Sequence, residues 1–557
     1  MKKTILTPFF LLLAVLLFAQ TPAKYWVQFT YKDIGNYSIQ KPEQFLSPRA
    51  IEKRAQFNIP ITEEDIPVSW KQISTILLLD STAVLVTTSK WHNGATFYSE
   101  NPDFMTLAQT CDFVRYVEQT YTCKEPETFS SENVTFFNNN SPKSNISNDL
   151  DYGYGEKQLR LNNAHWLHRI GYKGEGVLMQ VQDGGFRNSD SIRHFSLHFA
   201  DNRVRCVKNF VQPQKSTFRD GSHGTGVWSC IAAYVPGELI GSAPACNFYL
   251  VQTEDTNSEY VIEEDYWVSG IEFADSLGID IITSSLGYTS FDDSTYYRGH
   301  NSLDGKTSRA TLAADIAALK GMIVINSAGN SGRDKWHYIS PPADAIHTIT
   351  VGAVNSIGNK ANFSSFGPTY DGRVKPDAAA VGSATVVALP NNLSLPGSGT
   401  SYSAPLLAGM VACIKQAFPY KTNLEIVDAV RKGGAQYATP DSALGYGITD
   451  FLKVYNLLLQ PENKNLNITF STFVISNDSK TISFTIETKK DTKVTLSYGL
   501  RKTGKVKTKE FNLRTGANTI KLPVAKLPKS RKYDIWDLKI LEGGSGERFV
   551  LGREGEN

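Results

Sequence analysis

Between residues 152 and 459 the chain alternates short apolar, β-rich runs with amphipathic or apolar helical stretches, and this alternation restricts the fold more than any other feature. The runs are GVLMQVQ (176–182), NFYLVQT (247–253), IDIITSSLG (279–287), GMIVINSAG (321–329) and TITVGAV (348–354). Largely apolar strands separated by helices imply a parallel sheet covered on both faces. A sheet of that kind gathers its ligands at the carboxyl ends of its strands. Those ends are therefore where functional residues are sought.

The 557 residues exceed what one core organises, so flanking units are expected. Residues 24–122 mix strand-like runs (25–31, 75–79, 83–88 and 113–118) with helical ones (47–57), which predicts a small α+β unit. Residues 123–151 are rich in Ser, Asn, Glu and Pro and carry few large apolar side chains, the composition of a disordered linker. From 460 to 557 the helical patterns stop. Short alternating strands separated by turn residues there predict a β-sandwich.

At the start, Met1-Lys2-Lys3 is a basic leader, 5–18 is almost wholly apolar, and Ala19 is a small residue before Gln20. Residues 1–19 thus read as a signal peptide, because the apolar run is shorter than the ~20 residues of a membrane-spanning helix. An exported protein follows. With 57 basic and 55 acidic side chains the net charge is +2, which excludes nucleic acid as an expected partner. Six cysteines without a CxxC or knuckle spacing exclude a structural zinc. Cys111 and Cys123 could close a short loop, and Cys230 and Cys413, in apolar helical runs, read as buried thiols.

Four residues stand at the ends of these strands or at helix starts. Asp183 closes a strand and precedes Gly184-Gly185. His223 lies in DGSHGTG, just before an apolar helix. Asn330 follows the strand GMIVINSAG, and Ser401 lies in GSGTSYSAP before LLAGMVACI. Each alone has an ordinary structural explanation, as a turn, a backbone-satisfied ring, a left-handed residue or an N-cap. Together they occur in the order Asp, His, Asn, Ser, each at a strand end or helix start of one parallel sheet, an arrangement that coincidence does not explain. A metallopeptidase built on His194 and His198, four apart, lacks a third ligand and an HExxH base.

The strings VQDGGF, GSHGTGVWS, SSLG, NSAGNSG, FSSFGP, RVKPD and GTSYSAP make residues 152–459 resemble the catalytic domain of subtilisin-like serine peptidases. The resemblance implies Asp183 as the orienter of His223, His223 as general base and acid, Ser401 as nucleophile and Asn330 as oxyanion donor. It also implies that Ser285-Leu286-Gly287 and Ser327-Ala328-Gly329 bind an extended polypeptide substrate. Three positions depart from the family: Gln182 replaces a small or aliphatic residue, Tyr402-Ser403 a Met-Ala pair, and Gly226 a second histidine. Longer strings, SEYVIEEDYWVSGIEFADSLGIDIITSSLGY and YISPPADA, are similar to exported members from Bacteroidota. That likeness implies an inhibitory pro-region over 24–122 and a C-terminal domain, with GANTIKLPVAKLPKSRKYDIWDL, resembling those read by type IX export machinery. Such a protein passes through the periplasm to the cell surface or medium. No cofactor is implied, and calcium is left open because no DxDxDG-like loop is present. An inactive surface binding protein on the same scaffold is the alternative, disfavoured because all four catalytic positions hold competent residues.

Overall fold

The computed structural model of the protein describes residues 22–123, 127, 134–137, 146–459, 468–475, 481–523, 533–542 and 545–554, so the expected signal peptide lies outside the described residues. Two compact units divide the chain, one of residues 1–36 and 67–129, the other of 37–66 and 130–557.

In the first unit, β1 (Ala23–Phe29) is followed at a distance by two helices, α1 (Pro48–Gln56), which belongs to the second unit, and α2 (Trp70–Leu78). Then come β2 (Val84–Ser89), β3 (Gly94–Ser99), α3 (Phe104–Gln109) and β4 (Val114–Thr122). The strands pair antiparallel in the order β2-β3-β1-β4. Tyr25, Val27 and Phe29 of β1 share one core with Phe97, Phe104, Ile73 and Ile76. Residues 75–79, expected as a strand, are instead mostly the end of α2. Its buried residues Gln72, Ile73 and Ile76 fall three to four apart, while Trp70 and Leu78 are exposed. A short apolar run does not reveal its period by itself, and the helical face decided it. Cys111 and Cys123 are free thiols, so the expected short loop is not closed.

The second unit is built on an eight-stranded sheet in the order β14-β13-β12-β11-β6-β10-β7-β5. Its members are β5 (Thr135–Phe136), β6 (Leu178–Asp183), β7 (Val204–Asn209), β10 (Asn247–Gln252), β11 (Ile281–Ser284), β12 (Ile323–Ser327), β13 (Ile349–Val354) and β14 (Ala378–Val381). A small hairpin, β8 (Tyr234–Val235) and β9 (Leu239–Ile240), lies between β7 and β10 in the chain. All neighbours in the large sheet run parallel except β5, which is antiparallel to β7. Strand β5 departs from the expected disorder of 123–151. Thr135 pairs with Val207 and Phe136 with Cys206, because a β-prone VTFF run meets the open edge of β7.

The helices of this unit are α4 (Glu156–Arg160), α5 (Ala164–Arg169), α6 (Ser196–Ala200), α7 (His223–Ala232), α8 (Ile262–Leu277), α9 (Arg309–Leu319), α10 (Thr400–Ala417), α11 (Asn423–Lys432) and α12 (Phe451–Leu459). Alternation along β6 shows how they divide. Met179 and Val181 enter the core that holds Val227 of α7 and Leu407 and Val411 of α10. Gln180 and Gln182 point the other way and donate to Gly270 O (2.8 Å) and Trp267 O (3.3 Å) of α8. Period-two alternation therefore sets α7 and α10 on one face and α8 on the other. Ser47 caps α1 by accepting from Ala50 N, with Pro48 at the first helical position. Arg54 of α1, 2% exposed, bridges Asp65 (3.1 Å) and Asp275 of α8 (2.6 Å). Lys320 closes the network on Asp65 at 3.0 Å.

Beyond the hairpin of β15 (Thr385–Ala388) and β16 (Ser394–Gly397), the C-terminal strands are β17 (Ile468–Ile475), β18 (Thr481–Thr488), β19 (Thr492–Leu500), β20 (Val506–Leu513), β21 (Gly516–Pro523), β22 (Tyr533–Glu542) and β23 (Ser545–Glu554). They form antiparallel sheets β17-β18-β21 and β20-β19-β22-β23. Ile482, Phe484 and Ile486 of the first sheet share a core with Val494, Leu496, Leu538 and Ile540 of the second. One seam ties this sandwich to the helices: Asn456 of α12 donates to Val550 O (3.0 Å) and accepts from Val550 N (2.8 Å). Among the described residues no helix is long and apolar enough to cross a membrane.

Candidate active site

Asp183 is the last residue of β6, and the chain turns at once through Gly184-Gly185. Gly185 has φ +124°, and a Cβ there would sit 2.5 Å from Asp220 O, so the turn excludes a side chain. Gly224 serves the same approach from the other side, since its Cβ would lie 3.0 Å from Asp183 Cβ. These two glycines let the start of α7 press against the end of β6. His223, first in that helix, donates from Nδ1 to Asp183 Oδ1 at 2.9 Å and stands 3.1 Å from Oδ2. Asp183 is fully buried and also accepts from Gly184 N at 2.8 Å. With Nδ1 committed as donor, neutral His223 carries its lone pair on Nε2. The side chain is 41% exposed, so its outer edge faces the cleft. The Asp183 charge raises the His223 pKa above its ordinary value, against the opposing effect of burial.

Ser401 is the second residue of α10 and is 7% exposed. Its N–H lies in the first helical turn, where no intrahelical acceptor exists. Its carbonyl is also without a helical partner, because the residue four later is Pro405, which has no N–H. Ser285 fills that gap, its Oγ donating to Ser401 O at 3.0 Å. Asn330 follows β12 and is exposed. Its Oδ1 accepts from Thr400 N (2.9 Å) and Thr400 Oγ1 (3.0 Å), and Thr400 Oγ1 accepts from Gly329 N at 3.2 Å. Only the oxygen of an amide can accept, so this contact fixes the amide orientation and leaves Nδ2 as the outward donor.

The remaining expected residues stand at the carboxyl ends of β11 and β12. Leu286 O accepts from Asn326 Nδ2 at 3.0 Å, and Gly287 is exposed. Ser327 and Ala328 are buried, and Ala328 N donates to Val351 O at 3.0 Å. The three family departures have local explanations. Gln182 is satisfied by Gln180 and by the backbone of α8. Tyr402 and Gly226 belong together, because a Cβ on Gly226 would lie 3.3 Å from Tyr402 Cε1. The tyrosine ring lies over the place where a larger residue at 226 would project, 6.1 Å from the His223 ring.

Reading the sequence did not single out Ser285 as a support for Ser401, or Thr400 as the residue that orients Asn330. Pro405, four residues after Ser401, was the available signal for the first; no local pattern signalled the second. His194 and His198 do not converge on a metal site among the described residues. Their Nε2 atoms meet Ser394 Oγ (2.8 Å) and Pro244 O (3.1 Å), and burial lowers both pKa values.

Two regions of the chain match known protein families. The Peptidase S8 propeptide domain, Bacteroidota, matches residues 24–134. Subtilisin NAT of Bacillus subtilis subsp. natto is 32% identical over 278 residues, covering 49% of this chain and 64% of that protein. Subtilisin of Bacillus pumilus is 32% identical over 278 residues, covering 49% of this chain and 88% of that protein. Among solved structures, MycP1 from the ESX-1 type VII secretion system aligns with 58% of this chain and 91% of its own, at 19% identity and TM-score 0.42. The Subtilase family matches residues 161–447, over half of the sequence and the whole run from the strand of Asp183 to the helix of Ser401, and the chain belongs to that family.

Proposed function

We propose that the protein is an exported serine endopeptidase in which Ser401 attacks the scissile carbonyl, forming an acyl-enzyme that water then releases. The observation that carries this reading is the buried Asp183 carboxylate holding His223 by Nδ1 at 2.9 Å, with Nε2 left as base toward the cleft. In this mechanism Nε2 takes the Ser401 proton and returns it to the leaving amine, while Asp183 stabilises the imidazolium. The developing oxyanion is received by the Ser401 N–H and Asn330 Nδ2, donors aimed before the reaction begins. Polypeptide substrate adds as a strand along Ser285-Leu286-Gly287, with Ser327-Ala328-Gly329 as the facing wall. No cofactor takes part in these steps.

The pro-region acts in this proposal as an intramolecular inhibitor, removed by cleavage within 123–151. The C-terminal sandwich serves export, delivering the enzyme to the cell surface or medium through the machinery its sequence resembles. The deciding test of the chemistry is Ser401→Ala. It is expected to lower kcat by about 10⁶-fold, the magnitude set by subtilisin itself, and to abolish labelling by a fluorophosphonate. Retention of several per cent of activity in a preparation free of contaminating protease would refute the assignment.

A further inference from the structure

Helix α8 opens with two neighbouring glutamates that the fold treats differently. Glu264, fully buried, is paired with Arg298 and accepts from Ser308 Oγ at 2.7 Å. Glu263 is 1% exposed, and its Oε1 accepts from Asp255 N at 3.2 Å. Its Oε2 is buried and has no hydrogen-bond partner among the described residues. Beside it stand Glu254 and Glu259, both partly exposed, and one carboxylate oxygen from each of the three lies within 4.8 Å of the others. The largest electrostatic influences on these three come from one another and from Asp183, Asp255 and Asp292, all acids. A buried carboxylate oxygen without a donor, within a group of like charges, is costly unless a cation joins it.

We propose that Glu254, Glu259 and Glu263 bind one divalent metal ion of the calcium class. Oxygens that share an ion at about 2.3–2.6 Å are at most about 5 Å apart, and the observed separations fall inside that limit. The donor set is oxygen only, which selects a hard cation over zinc or copper. Three crowded carboxylates suit calcium better than magnesium, which keeps several of its waters. Glu254 and Glu259 form the entry at the surface, and Glu263 is the inner ligand.

The position gives the ion a purpose. Gln252 of β10 pairs in register with Asp183, and Glu254 lies two residues further on. Tyr288, next after Ser285-Leu286-Gly287, donates to Glu254 Oε2 at 3.3 Å. An ion here would tie the loop after β10 and the start of α8 to the residue that follows the β11 wall. This inference concerns binding and stability, and it does not depend on the proposed peptidase chemistry.

The test uses the full-length Ser401→Ala protein, stripped with a chelator and titrated with calcium chloride by calorimetry, with thermal unfolding followed in parallel. One equivalent should bind, and the unfolding midpoint should rise with calcium. Glu263→Gln and the partly exposed Glu259→Gln should each weaken binding at least tenfold and abolish most of the rise. Circular dichroism identifies a variant that fails to fold, in which case Glu259→Gln decides. Absence of saturable calcium uptake by the parent, or unchanged affinity in both folded variants, overturns the proposal. So does a result in which calcium has no effect but Glu259→Gln selectively slows cleavage of lysine- or arginine-containing peptides by the otherwise unmodified chain, which would make the cluster a pocket for basic side chains.

Discussion

Two regions of the second unit each bury an aspartate against a nitrogen base, and they do so to different ends. Behind α8, Asp275 and Asp65 share Arg54, and Lys320 completes the set, with all four side chains at most 8% exposed. An arginine and a lysine face two carboxylates, and the cluster is locked by these ion pairs. At the end of β6, Asp183 is as deeply buried, but its partner is His223, an imidazole 41% exposed on its outer side. The first arrangement holds a segment in place, while the second keeps a proton that can leave and return. The comparison also bears on the pro-region. The propeptide match spans 24–134, yet 37–66 lies in the same compact unit as the catalytic residues, held by ions, while 67–122 has a separate apolar core.

The largest effect is expected where the titratable pair can no longer hold its proton. Asp183→Asn should lower kcat by about 10⁴-fold, the magnitude set by the same change in the chymotrypsin-type triad, because His223 loses its orientation and charge partner. The pH profile sharpens this. Asp183 raises the His223 pKa, so the pair's contribution to stability is fully present below the unfolded value of about 6.5 and is lost as pH rises through the folded value. Activity runs the opposite way, since the base must be neutral, and the acid limb of kcat/KM should lie above that of a free histidine. In Asp183→Asn the residual activity should show this limb at lower pH. An unmoved limb would mean that another group governs it.

On the locked side, Arg54→Ala leaves Asp65 and Asp275 buried with two of their three described ion pairs gone. Removing one partner of a buried ion network costs about 3–5 kcal/mol, and chemical denaturation should show a loss of that size. Molar salt should weaken the parent cluster little, since buried pairs are poorly screened. After cleavage within 123–151, the fragment containing 37–66 should co-elute with the parent enzyme and separate from it in Arg54→Ala. Co-elution of the fragment in both proteins would show that the ion cluster is not what retains it.

Asn330→Ala tests a third arrangement, a donor held ready by neutral groups. Thr400 fixes the amide through two contacts at 2.9 and 3.0 Å, so the side chain is ordered before substrate arrives. Its loss should cost about 10²–10³ in kcat, the subtilisin value, with KM little changed. A change confined to KM would assign Asn330 to substrate binding and remove it from oxyanion stabilisation.

What could be read from the sequence follows from how locally each feature is determined. The ends of β6, β11 and β12 and the starts of α7 and α10 are bracketed by glycines and small residues whose purpose is steric, so Asp183, His223, Asn330 and Ser401 stood out in a linear reading. The Arg54 network did not, because its partner Asp275 is 221 residues away and no short pattern links them. Residues 75–79 looked like a strand because five apolar-rich residues carry no period, and the packing of Ile73 and Ile76 made them helical. Glu254, Glu259 and Glu263 were not singled out, because only the turn into α8 brings their carboxylates together.

The smallest effect is expected at the seam of the C-terminal sandwich, where Asn456 pairs with the backbone of Val550 and Arg169 lies 4.1 Å over the Tyr533 ring. Its own core, from Ile482 to Leu551, shows that the strands have their own cohesion. The seam nonetheless reaches the catalytic side: Val550 lies in the large core, and a Cβ on Gly552 would overlap the Trp166 ring at 2.4 Å. Truncation after Leu459 would therefore uncover the end of α12, return the Asn456 amide to water and expose part of Trp166. Hydrated polar groups lose little net energy on exposure, about 0.5–1.5 kcal/mol per hydrogen bond, so the stability cost should stay near 1–3 kcal/mol. None of Asp183, His223, Asn330 or Ser401 contacts the seam, and peptide hydrolysis by the truncated protein should match that of the full chain at a temperature well below unfolding. The measurement is kcat/KM alongside the unfolding midpoint for both forms. A tenfold fall in kcat/KM without unfolding would show that the sandwich shapes the cleft, and would end the view of it as a module for export alone.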